Sequence, residues 1–331
     1  MDAPANALSV VICCYSDRRF SDLRDAVLSV RGQLAPGDEL VVVVDHNPGL
    51  LGRVRAAFPD LLTAENGGPR GLSGARNAGI AATRGDILVF LDDDAEAAPG
   101  MIEALRAVAS QPGSLGAVAR IVPVWLGPEP RWFPAEFLWT VGCTYEGLRP
   151  GPVRNLIGAA MAVRRRVFDA VGGFDTGLGR IQTGLPLGCE ETELCIRAGR
   201  IEPGGRFHYI PEAVCRHKVP AGRATPRYLA ARCYAEGLSK AQLGAIARGR
   251  EALSSERAYV LRTLPLGVAR GLRDAVSRGD GAGVLRAGFI GFGLASTVAG
   301  YAVGRARLVL ERGRHAPAAA HPAAPIDGRS A

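Results

Sequence analysis

Ile87-Leu88-Val89-Phe90-Leu91-Asp92-Asp93-Asp94 decides the reading of this chain. An unbroken apolar run of this length fits a strand buried on both faces of a parallel sheet. The three carboxylates that end it repel one another, so their clustering is costly unless a cation or hydrogen-bond donors compensate. Hard divalent cations take oxygen ligands, and magnesium-type sites combine one or two carboxylates with substrate phosphates. The carboxyl edge of a parallel sheet is also where ligands bind in open α/β folds. An acidic surface turn after a core strand would look the same, so the run by itself leaves both readings open.

On the N-terminal side of this run the pattern alternates. Residues 8–15 read as a first apolar strand, and Phe20, Leu23, Val27, Val30 and Leu34 recur at helical spacing. Residues 39–44 read as a second buried strand, stopped by Asp45-His46-Asn47-Pro48 and followed by a helix over 50–58. Gly67, Gly68, Pro69 and Gly71 make a loop before a helix over 72–83, and the quoted strand begins at 86. Strands alternating with helices predict an α/β fold with a mostly parallel sheet. The first strand exits into Cys14-Tyr15-Ser16-Asp17-Arg18, without the G-x-G-x-x-G turn of a dinucleotide fold, and no Walker-type loop occurs. In their place polar groups stand at successive strand ends: Tyr15-Ser16, Asp45 and the Asp triplet. Converging on one crevice, they suit a base or ribose and a metal-bound diphosphate.

The C-terminal side is less regular. Residues 123–152 are rich in Pro and aromatics (Trp125, Trp132, Phe133, Phe137, Trp139, Tyr145), which fits either a satellite core or an acceptor wall. A strand-like run over 155–164 follows, then Gly172-Gly173-Phe174-Asp175, then Glu190-Glu191-Thr192-Glu193 opening a helix. Acidic residues suit a first helical turn through the helix dipole alone, but three Glu in four positions exceed what a cap needs.

Taken in order, these residues resemble an inverting family 2 glycosyltransferase with the nucleotide-diphospho-sugar transferase (GT-A) fold. The resemblance covers about residues 8–220 and rests on ordered agreement rather than one motif. Its members are Cys14-Tyr15-Ser16, Asp45, Gly71-Leu72-Ser73-Gly74-Ala75-Arg76-Asn77, Asp92-Asp93-Asp94, Gly172-Gly173-Phe174-Asp175 and Glu190-Glu191. It implies that Asp45 bonds the uracil or equivalent base, that Tyr15 lies at the nucleotide, and that Arg76 and Asn77 sit beside it. Asp92 and Asp94 would form the D-x-D signature, Asp94 nearer the metal and Asp92 or Asp93 nearer the ribose. Where the family usually has Glu-Asp this chain has Glu190-Glu191, so Glu191 inherits the catalytic-base role, with Glu190 one residue away as the alternative. His217, within Cys215-Arg216-His217-Lys218, is a further candidate for the metal or diphosphate. The implied cofactor is Mn²⁺ or Mg²⁺, and the implied donor a nucleotide-diphosphate sugar, UDP-linked. Independently of the resemblance, an inverting transfer needs a carboxylate to deprotonate the acceptor and a cation to neutralise the leaving diphosphate.

Composition bounds the remainder. The 331 residues, 47% hydrophobic and 22% charged, describe a folded chain long enough for a large core. Of the net +8, residues 223–331 contribute +10 and residues 1–222 contribute −2, so the basic excess lies wholly in the last third. A basic patch of that kind favours an anionic partner such as a membrane surface, or is simply a solvated helical face. No nucleic-acid partner is expected. Helices are predicted over 227–247 and 254–276, and 287–304 is an uncharged stretch flanked by Arg286 and Arg305. A spanning helix needs about 20 apolar residues, so a span, an interfacial helix and a buried helix all remain open.

The seven cysteines lack zinc-ligand spacing and read as reduced and buried, and the opening Met-Asp-Ala-Pro carries no secretory signal pattern. The expected organisation is a catalytic domain at 1–222 (nucleotide-sugar half about 8–120, acceptor half about 121–222), a basic helical region at 223–314, and a disordered tail at 315–331. The expected protein is a transferase on the inner face of the cell membrane, acting on a lipid-linked or cell-envelope glycan acceptor. The rival expectations are a soluble transferase with a small-molecule aglycone, or a silent nucleotide- or glycan-binding protein.

Overall fold

In the computed structural model, which describes residues 6–178, 188–246 and 257–314, one nine-stranded sheet carries helices on both faces. The N-terminal half follows the pattern: β1 (Leu8–Cys14), α1 (Phe20–Arg31), β2 (Glu39–Val44), α2 (Pro48–Ala57), β3 (Leu62–Glu65), α3 (Leu72–Ala82) and β4 (Ile87–Asp92). Then come β5 (Ala95–Ala97), α4 (Met101–Ala109), β6 (Ser114–Trp125), β7 (Gly151–Val153), β8 (Ala160–Arg164), α5 (Arg165–Val171), α6 (Glu190–Ile201) and β9 (Arg206–Val219). Among the described residues three further helices follow: α7 (Pro226–Ile246), α8 (Leu264–Arg278) and α9 (Ala282–Arg314).

The strand order is β3-β2-β1-β4-β8-β6-β9-β5, with β7 also paired to β9. The first four strands are parallel, as the alternation requires, while β8 runs antiparallel to both β4 and β6. The sheet is therefore mixed: parallel over β3, β2, β1 and β4, with β8 antiparallel to its two neighbours and β5 and β7 antiparallel to β9. Side chains of β1 and β4 alternate between two cores. Val10, Ile12, Val89 and Leu91 pack with α1, α2 and α4, whereas Val11, Leu88 and Phe90 pack with α3, α5 and α6. Both faces are covered, which explains why these strands are continuously apolar rather than alternating.

Register places the site. Cys13 pairs with Asp92 across β1–β4, Cys14 pairs with Val44 across β1–β2, and the Asp45 amide donates to the Cys14 carbonyl at 2.8 Å. The exits of three parallel strands thus lie side by side at one sheet edge.

The aromatic stretch between β6 and β7 packs instead of forming an exposed wall. Phe133 and Phe137 are buried, Trp132 stacks on Phe289 of α9 with ring centroids 4.5 Å apart, and Trp139 Nε1 donates to the Tyr259 hydroxyl at 3.0 Å. Phe133, Phe137, Trp132 and Trp139 thus belong to the core, at the seam on which the C-terminal helices sit, while Tyr145 lines a separate cavity.

Those helices pack through glycine. A Cβ on Gly300 would lie 2.0 Å from the Tyr234 carbonyl oxygen, and one on Gly237 would lie 2.1 Å from that of Thr297. α7 and α9 therefore approach at backbone distance, the arrangement that small residues permit. The uncharged stretch forms the middle of α9, a 33-residue helix about 50 Å long. Residues Ala282–Leu310 are long and apolar enough to cross a membrane, and only 17% of the most apolar window is buried. The predicted helix over 227–247 is α7, and α8 falls within 254–276 but runs on to Arg278; residues 247–256 and the tail from 315 lie outside the described residues.

Candidate active site

A cavity of about 330 Å³ opens at the carboxyl ends of β1, β2 and β4. Tyr15, Asp45, Asp92, Asp93 and Asp94 line it, joined by Arg19, Arg70 and Arg223. Tyr15, 61% exposed, offers its ring to the cavity with the Arg19 guanidinium 5.8 Å above the ring centroid.

Asp45 organises the loop at the cavity's rim. One of its oxygens accepts from Asn66 Nδ2 at 2.7 Å and the other from the Gly71 amide at 3.0 Å. His46 Nδ1 lies 2.7 Å from the first oxygen, on a residue held at φ +51°. The conformation needed by residues 66–71 is thereby built from the end of β2, and it fixes the start of α3.

The three aspartates have different environments. Asp92 is half-buried, whereas Asp93 and Asp94 are buried. Arg19 pairs with Asp93 and, through Nη2, with Asp94 at 3.1 Å. Burial pushes the Asp93 carboxyl up to about 7, against the pull of Arg19. Burial also acts to raise Asp94, but a bond from His217 and the Arg19 and Arg223 guanidiniums outweigh it and hold Asp94 below the usual carboxylate range. His217, on β9, places Nε2 3.1 Å from Asp94 Oδ1, with Nδ1 3.7 Å from the Cys143 thiol. Gly142, at φ +82°, lets the chain pass over this ring: a Cβ there would lie 3.1 Å from His217 Cε1.

Asp92, Asp94 and His217 each present one ligand atom, all within 4.8 Å of one another. Two carboxylates and an imidazole fit a Mn²⁺- or Mg²⁺-type ion whose remaining positions are left to water or phosphate oxygens. The residue spacing from 94 to 217 is bridged by the sheet itself, because β5 after the Asp triplet pairs with β9 and sets Ala95 opposite His217.

Arg76 and Asn77, which the resemblance sets beside the nucleotide, are not among the residues lining this cavity. Asn77 donates Nδ2 to the Phe174 carbonyl at 2.9 Å and accepts from the Phe174 amide at 2.8 Å. It therefore fastens the Gly172-Gly173-Phe174-Asp175 turn to α3. Arg76 is fully buried and spans two parts of the site. Its Nη1 lies 2.9 Å from Glu191 Oε1 and 3.7 Å from Glu190 Oε1, while Nη2 lies 3.8 Å from Asp92 Oδ1 and donates to the Gly158 carbonyl at 3.1 Å. One guanidinium thus separates the Asp92 carboxylate from the glutamate pair.

Glu190 is buried and Glu191 half-buried, at the first turn of α6. The preceding Cys189 adopts φ +79°, a left-handed conformation that β-carbon residues disfavour, and such strain persists only where its surroundings enforce it. α7 supplies that support. Its Ser239 hydroxyl accepts from the Gly188 amide at 3.2 Å, and its Glu236, paired with Arg232 and Lys240, lies 3.6 Å from the Cys189 thiol. The C-terminal region thus supports the turn before α6 through these contacts and lines the cavity through Arg223.

Residues 9–172 match the glycosyl transferase family 2 profile. A glucosyl-dolichyl phosphate glucuronosyltransferase from Haloferax volcanii is 35% identical over 239 residues, 70% of this chain and 76% of the relative. The chain belongs to glycosyltransferase family 2. It is an enzyme of the glycosyltransferase class. A pre-mycofactocin glycosyltransferase of Mycobacterium tuberculosis is 30% identical over 60% of this chain, which spans 40% of that relative. Among solved structures, the mannosyltransferase PcManGT from Pyrobaculum calidifontis, in complex with GDP-Man and Mn²⁺, superposes with a TM-score of 0.56. It is 20% identical, covering 93% of this chain and 88% of that one. GalNAc-T7 with UDP, GalNAc and Mn²⁺ gives 0.51 at 19% identity, covering 78% and 54% respectively. Both share the GT-A fold.

Arg19, Arg223 and Gly158 are site residues that sequence reading passed over. Arg19 alone had a local signal, a cationic pair directly after a strand exit in a chain with a triple Asp. Arg223 and Gly158 reach the site only through tertiary packing.

Proposed function

We propose that this family 2 enzyme is a metal-dependent, inverting transferase. It moves a sugar from a nucleotide-diphosphate donor, UDP-linked, to a lipid-linked glycan at the cytoplasmic membrane face. The observation that carries the mechanistic part is Arg76, whose two ends face Glu191 and Asp92. It sets a carboxylate base and the diphosphate-binding carboxylates across a single guanidinium.

In this reading Asp92, Asp94 and His217 hold Mn²⁺ or Mg²⁺, which when bound neutralises the diphosphate as it leaves. Tyr15 and Asp45 take the base, and Asp93, held by Arg19, faces the ribose. Glu191 accepts the proton of the acceptor hydroxyl as its oxygen bonds to the anomeric carbon from the face opposite the leaving group. The bond from that carbon to the diphosphate oxygen breaks, and the nucleoside diphosphate departs with the electron pair. Glu191 is favoured over Glu190 because it is the less buried of the two and the one in direct contact with Arg76. The lipid-linked acceptor is supported by the Haloferax relative, whose name specifies a glucosyl-dolichyl phosphate. The exposed apolar faces of α8 and α9 and the net +10 of residues 223–331 support the membrane location.

The test is a matched pair. Glu191→Gln should keep nucleotide-sugar affinity while lowering kcat by at least about 10²-fold, and Glu190→Gln should be milder. Reversed effects would move the base to Glu190; small, equal effects would remove both from the chemistry.

A further inference from the structure

A second cavity, of about 430 Å³, lies apart from the donor pocket, where the catalytic sheet meets the C-terminal helices. Four arginines line it: Arg120 from β6, Arg149 from the segment before β7, and Arg262 and Arg270 from the start and middle of the α8 region. Among the described residues, Arg120, Arg149 and Arg262 make no ion pair. Arg270 is paired to Glu146 at 3.0 Å and faces Glu136 at 3.6 Å. Glu146 is the one acidic lining residue, so the cavity is strongly cationic.

The walls are built closely. Residues Tyr259–Thr263 form one turn of π-helix immediately before Leu264-Pro265, where proline cannot donate to the helix ladder. Gly147, at φ +98°, packs on this turn so tightly that a Cβ would lie 2.8 Å from Thr263 Cγ2. The Tyr259 hydroxyl donates to the Glu136 carbonyl at 2.7 Å, and Tyr145 stands edge-on to the Tyr259 ring. Arg262 is thereby held on a turn fixed from both sides.

Two further features narrow the ligand. Thr144, on the cavity wall, is bonded to β6 through Ile121, and the residue before it, Cys143, touches the His217 ring of the metal cluster. The cavity therefore adjoins the catalytic centre on the acceptor half of the sheet. On its other side Leu266 is a lining residue and 56% exposed, with Leu261 (66%) and Val276 (88%) exposed along the same helical segment. An anion bound here would sit between the reaction centre and an apolar outer face.

We propose that this arginine cavity binds the phosphate of a lipid-linked acceptor, with the lipid chain leaving over the exposed α8 face. Guanidinium groups recognise phosphate through paired, charge-assisted hydrogen bonds, and the neighbouring leucines supply the apolar surface that a free phosphate would not use. The assignment rests on the lipid-linked reading of the acceptor and locates it.

The experiment is vesicle flotation of the full-length protein. Phosphatidylcholine vesicles carrying a polyprenyl phosphate are compared with vesicles carrying the uncharged polyprenol and with vesicles carrying phosphatidylglycerol, with inorganic phosphate as soluble competitor. Wild type should prefer the polyprenyl phosphate vesicles by at least about ten-fold over both others. Arg149→Ala combined with Arg262→Ala, both exposed positions, should abolish that preference and leave UDP binding unchanged. The proposal is overturned if wild type shows no preference, if phosphatidylglycerol serves as well, or if the double variant keeps the preference. It is likewise overturned if inorganic phosphate binds as tightly as the lipid, which would make this a free-phosphate site. A transfer assay separates the two claims. A double variant that glycosylates a lipid-linked acceptor at the wild-type rate defeats the cavity assignment alone. An enzyme that retains the vesicle preference but glycosylates only soluble aglycones defeats the acceptor reading alone.

Discussion

The two cavities differ in how they are made. The donor pocket gathers consecutive strand exits of a parallel sheet, whose register sets Cys13, Asp45 and Asp92 side by side. Its wall is dominated by carboxylates answered by Arg19 and Arg223. The second cavity is assembled from four separate stretches that meet only in the folded chain, and its wall is dominated by guanidiniums. Strand topology therefore produces most of the first, with Arg223 added from the segment before α7, whereas the second depends on docking of the C-terminal helices. An acidic pocket suits a cation with its diphosphate, and a basic one suits an anion without a cation.

That contrast predicts separable failures. The largest effect is expected at Gly158, where a Cβ would lie 1.9 Å from Glu191 Oε1 and 2.4 Å from Arg76 Nη2. Gly158→Val should displace the base and lower kcat by roughly 10²-fold, as a misplacement of about 1 Å can do, while vesicle binding stays at the wild-type level. Loss of vesicle preference in this variant would show that the two cavities are one unit.

A smaller effect belongs to the helical seam. Gly300→Leu would force α9 from α7 and should cost about 1–3 kcal/mol of stability by overpacking, read as a lower melting temperature. Donor affinity should be retained, because α9 does not line the donor pocket. A large fall in UDP affinity would mean that the seam also shapes that pocket through α7 and Cys189.

The smallest effect lies at the far edge of the sheet and serves as a control for both cavities. Asp38 is half-buried, and desolvation acts to raise its carboxyl, but bonds from Arg106 and the Leu8 and Ala35 amides hold it below its ordinary value of 3.8. A depressed carboxylate contributes stability above its unfolded value and loses it as pH falls through the folded one. Asp38→Asn should therefore cost about 1 kcal/mol near neutrality, and its deficit against wild type should shrink in denaturation curves taken below about pH 4. A deficit that is constant with pH would remove ionisation from the explanation.

The sequence carried the nucleotide half well. β1, β2, β4 and α3 were readable because two-sided burial makes strands continuously apolar and because Gly and Pro mark the loops between them. Asp92 and Asp94 of the Asp triplet and His217, a separate candidate, lie within 4.8 Å of one another. The long strands β6 and β9 were not read, since Gly116, Arg120 and Pro123 interrupt one, and a register shift at Ala119/Arg120 breaks their pairing. The family resemblance sets Arg76 and Asn77 beside the nucleotide at the start of α3. Their partners, Glu191 and Phe174, lie about a hundred residues away in sequence and leave no local signal. The arginine cavity is the extreme case: each arginine alone is ordinary in an arginine-rich chain, and only the fold makes them a group.

The central claim, that Asp92, Asp94 and His217 hold a divalent cation for the nucleotide diphosphate, is tested most directly by calorimetric titration of UDP. The titration is run with Mn²⁺, with Mg²⁺ and with excess chelator, on wild type and Asp94→Ala. Wild type should lose at least about ten-fold in UDP affinity when the cation is removed, one charge-assisted contact's worth, and Asp94→Ala should bind UDP weakly and equally in all three conditions. Equal wild-type affinity with and without chelator, or an Asp94→Ala protein that still responds to Mn²⁺ as wild type does, would contradict it.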